Sequence, residues 1–209
     1  MKSLENKIFM ICPVRGITEE ESLLLQDYIQ GLESIGTKVH YPPRDTNQDD
    51  PIGLKICSQN RAAIKNAFGV NLYYNSASTG TVFDIGMAVM ANKPLFVINL
   101  NSLKNPSPTD LERFLTEYAI NTIKKGDSET YMNFLSRAHL RKEKMTKLIE
   151  YEWKDNNKEF LFDFGMVFMA EKPIRLLNRE YVETQRTPGK SFQNVLLALD
   201  DIGRKAKYF

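Results

Sequence analysis

The side chains best placed to do chemistry gather in Ser76-Ala77-Ser78-Thr79-Gly80-Thr81-Val82-Phe83-Asp84-Ile85-Gly86-Met87-Ala88. Asp84 is the only charged side chain between Lys65 and Lys93. An ionised carboxylate among Val82, Phe83, Ile85 and Met87 costs several kcal/mol unless it is paired or hydrogen-bonded. The spacing predicts a helix start here, and a place in the first helical turn offsets about 0.3–1 kcal/mol of that cost through the helix dipole. Two readings stand at this point: an acidic residue tuning a helix start, or a carboxylate held at the mouth of a sheet for chemistry. Just upstream, Ser78, Thr79 and Gly80 are small enough to let backbone approach a ligand closely.

Three further groups are candidates. Pro13-Val14-Arg15-Gly16 follows an apolar run and precedes a helix, so Arg15 and the backbone N–H groups around Gly16 suit an anion. Asn60 falls on an apolar stripe with Ile56, Ala63, Ile64 and Ala67. A buried Asn must find hydrogen-bond partners, so it either ties down backbone or faces a ligand. Tyr41 and the polar run from Arg44 to Asp50 form a loop, read either as a solvated turn or as the rim of a pocket. His40 and His139 show no metal-ligand spacing, and neither a metal site nor a cofactor is expected.

The elements that must position these groups alternate. Ile8 to Cys12 reads as a first, central strand. Thr18 and Glu21 form a capping-box signature for a helix carrying Leu24, Leu25, Tyr28, Ile29, Leu32 and Ile35 and closed by Gly36. Lys38 to Tyr41 reads as a second strand, stopped by Pro42-Pro43. Pro51 is expected to open a helix running to about Ala67. Gly69 to Tyr74 and Leu95 to Ile98 read as strands on either side of the Asp84 helix. Further helices are expected from Thr109 to Tyr118, from Glu129 to Lys147, and from Ser191 to Ile202. Alternation of this kind predicts an α/β fold, a doubly wound, flavodoxin/Rossmann-like parallel sheet of about five or six strands with helices on both faces. Ligands on such sheets bind beyond the carboxyl ends of the strands, where the loops at 12–16, 41–50 and 75–84 converge.

An internal repeat is present. Phe83-Asp84-Ile85-Gly86-Met87-Ala88-Val89-Met90-Ala91-Asn92-Lys93-Pro94 recurs as Phe162-Asp163-Phe164-Gly165-Met166-Val167-Phe168-Met169-Ala170-Glu171-Lys172-Pro173, at a constant offset of 79 residues. It implies a second strand–helix–strand unit, with 70–99 repeated at 149–178, packed on the same sheet. Asn157-Lys158-Glu159 replaces Ser78-Thr79-Gly80, so the second copy lacks the small-residue loop and Asp163 is read as structural. The expected organisation is one α/β domain over 1–209, with a ligand-site half at 7–100 and an elaboration at 101–209 that carries the repeat.

At 209 residues and 42% apolar content the chain can bury a core. Its net charge of +2, without a long Lys/Arg block, argues against a nucleic-acid partner. No apolar run approaches the roughly 20 residues of a membrane span, and the first residues lack the apolar core of a signal peptide. Cys12 and Cys57 are too few for a disulfide framework and are expected as free thiols in a cytoplasmic protein.

Over residues 7–99 the chain resembles the nucleoside 2-deoxyribosyltransferase superfamily, and within it the deoxynucleoside 5'-monophosphate N-glycosidase branch. Ile11-Cys12-Pro13-Val14-Arg15-Gly16 resembles the branch's first phosphate-side loop, and Ser78-x-Gly80-x-x-x-Asp84-x-Gly86 resembles its Ser-x-Gly-x-x-x-Glu-x-Gly pattern. The resemblance implies a carboxylate that attacks the anomeric carbon of the sugar, with Arg15, Gly16, Ser78, Thr79 and Gly80 on the 5'-phosphate. Tyr41, Arg44 and Asn60 would then face the sugar or base. Two departures stand out. The family's Glu is Asp84 here, one methylene shorter, and its helix Asp is Asn60, which has no titratable proton to give. The leading expectation is therefore an enzyme, an N-glycosidic bond hydrolase or (deoxy)ribosyltransferase acting on a small nucleotide or nucleoside through Asp84. The alternative is a non-catalytic nucleotide-binding or sensing protein that kept the pocket. Family members of this kind associate, so a homodimer through the apolar helix after Asp84 is expected, against burial of that helix by the C-terminal half of the same subunit.

Overall fold

Every second residue of the first strand faces the opposite way, and this builds the two sides of the molecule. The computed structural model describes residues 7–75, 78–98, 149–154, 158–189 and 191–208. β1 (Lys7–Ile11) pairs in parallel with β2 (Lys38–His40) on one side and β3 (Gly69–Leu72) on the other, and β4 (Leu95–Val97) pairs with β3, giving a four-stranded parallel sheet of order β2-β1-β3-β4. Met10 and Cys12 pack with Leu25, Tyr28, Ile29 and Leu32 of α1 (Glu19–Ser34), whereas Phe9 and Ile11 pack with Ala63 and Ile64 of α3 (Leu54–Asn66) and with Val82, Phe83 and Ile85 of α4 (Thr79–Met90). Helices thus cover both faces, as a parallel sheet requires.

The helix ends follow local chemistry. Thr18 and Glu21 close the expected capping box on α1, with the Glu21 N–H donating to Thr18 Oγ1 at 3.1 Å and the Thr18 N–H to Glu21 Oε2 at 2.8 Å. The stretch after β2 is a short helix, α2 (Pro42–Asp45), where a loop was expected. The next helix begins at Leu54, not at Pro51. Gly53 takes the left-handed conformation at its N-cap (φ 90°), and Asp50, buried, accepts from the Ile52, Lys55 and Ile56 N–H groups instead of a cap side chain.

The repeat is a structural repeat to the residue. β5 (Ile149–Tyr151) pairs in parallel with β6 (Ile174–Leu176), and α5 (Lys158–Ala170) joins them. Val70 faces Leu95 and Ile149 faces Ile174; the Ile98 N–H donates to the Leu72 carbonyl and the Leu177 N–H to the Tyr151 carbonyl, both at 2.8 Å. Asn92 (φ 55°) and Glu171 (φ 57°) both end their helices in the left-handed region. Each of these pairs is related by the same offset of 79. The expectation that the second unit would extend the first sheet to five or six strands does not hold; among the described residues the six strands divide into sheets of four and two. Its helix packs instead on α4. The crossing has glycine on both sides: a Cβ on Gly86 would collide with the Phe162 carbonyl, and one on Gly165 with the Phe83 carbonyl. Only glycine lets the two backbones meet there.

α6 (Arg179–Thr184) and α7 (Phe192–Lys205) complete the second half. Ser191 caps α7 as expected, accepting from the Asn194 N–H at 3.3 Å. Asp200, fully buried on α7, accepts from the Leu176 N–H at 2.9 Å and from Arg179 and Arg204 at 2.6 Å each, which pins the helix to β6. The helices expected at 109–118 and 129–147 lie outside the described residues. No helix among the described residues is long and apolar enough to cross a membrane.

Candidate active site

Three loops leave the carboxyl edge of the sheet, and α4 starts from the third. Ser78 is its N-cap, and Ser78 Oγ accepts from the Thr81 N–H at 3.3 Å. Thr79 and Gly80 are exposed, and a Cβ on Gly80 would meet no atom within 4 Å among the described residues. Thr81 behind it is buried, and its Oγ1 has no hydrogen-bond partner in the described structure. Tyr73, just beyond β3, donates its hydroxyl proton to Glu21 in the first turn of α1 and ties the two loops together.

Asp84 lies one turn further on than the sequence suggested. With α4 starting at Thr79, it stands in the second turn, where the dipole's help has fallen away. It is 8% exposed. Burial raises its pKa to about 7, and the Asn60 side chain, donating from Nδ2 to Asp84 Oδ2 at 3.3 Å, pulls the other way. Asn60 comes from α3, 7% exposed, on the stripe that packs against α4. Its Oδ1 accepts from Thr46 Oγ1 at 2.8 Å, and Thr46 Oγ1 lies 2.9 Å from His40 Nε2. Cys12, past the end of β1, and Cys57, on α3, also feel the Asp84 charge. Burial first and that charge second push the Cys12 thiol up to about 12 and raise Cys57 as well. Both thiols are free and stay protonated at neutral pH, leaving Asp84 as the group that titrates there. A buried carboxylate, held among the described residues by the Asn60 amide and ionised above about pH 7, can act as a nucleophile or stabilise a developing cation.

The other expected residues fall in two places. Arg15 and Gly16 form an exposed bend between β1 and α1, with Gly16 left-handed (φ 73°). Arg44 and Tyr41 sit on the β2 flank. The Arg44 guanidinium donates to Glu33 Oε1 at 2.9 Å, Asp45 Oδ1 at 2.8 Å and the Val39 carbonyl at 2.8 Å. Tyr41 is buried with Met10, Cys12 and Leu25. Asp84 and Asn60, distant in sequence, are brought together; Ser78, Thr79 and Gly80 share one helix start. Thr46 and His40 were not read as site residues. Thr46 sits in a run of seven polar residues that looks solvated, and nothing in that run marks it as 3% exposed.

Site and sheet together define an α/β protein with a four-stranded parallel sheet and a buried carboxylate at its carboxyl edge. No family model, curated protein or solved structure matches the chain.

Proposed function

We propose that the chain cleaves or exchanges the N-glycosidic bond of a nucleotide-like substrate, with Asp84 as nucleophile or oxocarbenium stabiliser. The observation that carries the reading is the buried Asp84 carboxyl, titrating near neutrality and held by Asn60 at the strand edge where ligands of such sheets bind. The Ser-x-Gly-x-x-x-Asp-x-Gly spacing and its resemblance to the monophosphate N-glycosidases supply the substrate class. The exposed start of α4 and Arg15 are assigned to the 5'-phosphate, because helix N-termini and guanidinium groups favour such anions. Asn60 orients the carboxylate and faces the sugar or base.

A second reading, a nucleotide-binding protein without turnover, is favoured by Asn60 itself. Its amide can orient a base but has no titratable proton to give a leaving group.

The test is chromatography of products from a panel of nucleoside 5'-monophosphates and nucleosides incubated with the protein. Free base is expected from a monophosphate, and Asp84→Ala is expected to abolish it while leaving nucleotide binding within about threefold of the parent, since phosphate contacts dominate binding. Binding without release of any base over hours sinks the catalytic reading in favour of the binding one. Arg15→Ala with Ser78→Ala should weaken nucleotide binding by about 10- to 100-fold, the worth of one or two charge-assisted hydrogen bonds, and nucleoside binding much less. Equal parent affinity for nucleotide and nucleoside would remove the phosphate site.

A further inference from the structure

The hydrogen bonds that reach Asp84 do not end on Asn60. They run outward through Thr46 to His40, a residue with no part in the chemistry above. His40 Nε2 lies 2.9 Å from Thr46 Oγ1, Thr46 Oγ1 donates to Asn60 Oδ1 at 2.8 Å, and Asn60 Nδ2 donates to Asp84 Oδ2 at 3.3 Å. We propose that His40 and Thr46 are positioning residues for the Asp84 carboxyl, holding the Asn60 amide in the one orientation that donates to it. The inference rests on Asp84 and Asn60 being the working pair of the site.

The ionised Asp84 carboxylate sets the polarity of the chain: it only accepts, so Asn60 turns its NH2 to it and its Oδ1 to Thr46. A threonine hydroxyl has a single proton. Thr46 gives it to Asn60 Oδ1, so only lone pairs remain towards His40, and His40 must present an N–H at Nε2. Both the neutral Nε2–H tautomer and the imidazolium meet that demand, so the polarity survives a change in His40 charge. A Thr46 hydroxyl held in that direction by the His40 N–H locks Asn60 with its oxygen outward and its NH2 on Asp84. A flipped amide would set oxygen against carboxylate oxygen, and leave Nδ2 facing the Thr46 hydroxyl. Thr46 and Asn60 are both buried, so bulk water offers neither of them another partner.

His40 is held for the task. Its ring stacks on Phe9 of the neighbouring strand, 5.3 Å between centroids and 14° between planes. Its outer side lines an open groove of about 630 Å³ with Lys7, Lys38 and Asp45. The chain thus spans from the surface beside the edge strand to the buried carboxyl. Because one link is an amide, it conveys orientation and not a proton.

The charges around both ends allow the effect to be read cleanly. Asp84 faces Cys12, just past the end of β1, and Cys57 from α3, and Cys57 also feels the charge of Asp50; both thiols stay protonated through neutral pH. His40 faces Asp45, Lys7 and Arg44, and burial holds its pKa below the usual imidazole range.

The experiment follows the Asp84 carboxyl carbon by NMR in the full-length, 13C-labelled protein from about pH 5 to about pH 9, the range in which only strongly perturbed carboxyls and histidines titrate. Parent, Thr46→Val, Thr46→Ser and His40→Phe are compared; phenylalanine keeps the stack on Phe9. Thr46→Val and His40→Phe should each raise the Asp84 midpoint by about one pH unit, the worth of one oriented hydrogen bond to a carboxylate. Thr46→Ser should restore the parent value, and the Thr46→Val/His40→Phe double variant should move no further than Thr46→Val alone. A folded Thr46→Val protein with the parent midpoint overturns the proposal. Should His40→Phe fail to fold, the valine and serine variants decide by themselves. Because the readout is a titration, it is separable from turnover. Shifted midpoints in a protein that releases no base would sink the catalytic reading and leave the positioning chain standing. An unshifted Thr46→Val in a protein that does release base would do the reverse.

Discussion

Asp84 is a burden on the fold that carries it. The folded carboxyl keeps its proton up to about pH 7, whereas an ordinary aspartate loses it near 3.8. Between those values the folded chain binds more protons than the unfolded one, so stability falls as pH rises through that window and stays low above it. The gap corresponds to about 4 kcal/mol when ionisation is complete. Asp84→Asn removes the titration and keeps a group able to accept from Asn60. Its stability in urea should exceed the parent's by a few kcal/mol at pH 8, with the advantage shrinking towards pH 5. Parallel stability–pH curves for parent and variant would show that Asp84 carries no such cost. Asp163, its partner in the repeat, is only half-buried, and Asn157-Lys158-Glu159 stands in the sequence where the first copy has Ser78-Thr79-Gly80. Asp163→Asn is expected to leave base release at the parent rate, and a folded variant that loses turnover would return Asp163 to the site.

At the scale of elements, Gly86 and Gly165 set how the two repeated helices meet. Gly86→Ala and Gly165→Ala each push a Cβ into a carbonyl of the opposite backbone. Backbone cannot swing aside as a flexible side chain does, so each should cost about 1–3 kcal/mol or more, the range of overpacked cores. The near-symmetry of the crossing makes the two penalties similar; a neutral alanine at either position would mean that the helices part easily. The glycines also show what was legible beforehand. The repeat, the positions of the strands to within a residue or two, and the caps at Thr18 and Ser191 depend on local pattern, and the sequence states them. The role of Gly86 and Gly165 depends on which helix lies opposite, so the repeat could be seen but its packing on α4, in place of a longer sheet, could not. The site divides the same way. Asp84 betrays itself by being charged in an apolar stretch, and Asn60 by being polar on an apolar stripe. Thr46 and Asp50 are buried polar residues inside a polar run, which hides them. The second-turn position of Asp84 turned on where α4 begins, a boundary that Ser78 fixes only once its Oγ is seen on the Thr81 N–H.

At the scale of the molecule, the two halves share one core. Phe83 of α4 packs on Phe164 and Phe168 of α5 and on Phe192 of α7, at centroid separations of 5.1, 5.6 and 4.9 Å. Arg61 of α3 donates to the Phe168 carbonyl at 3.1 Å and lies over the Phe168 ring, 4.7 Å from its centroid. The face of α4 that the sequence offered to a second subunit is occupied by α5, so an association of subunits would have to use another surface. The second half cannot come away without stripping the helix that carries Asp84. Unfolding should therefore be a single cooperative transition despite the repeat. The chain has one tryptophan, Trp153, buried in the second half and edge-on to Phe160 at 4.9 Å. Its fluorescence reports that half alone, whereas far-UV circular dichroism averages over helices of both. The two urea transitions are expected to coincide in midpoint and slope, and Gly86→Ala, a change in the first half, should lower the Trp153 midpoint as much as the dichroism midpoint. A tryptophan transition that stays put while the dichroism shifts would mean two independent units, each with its own core.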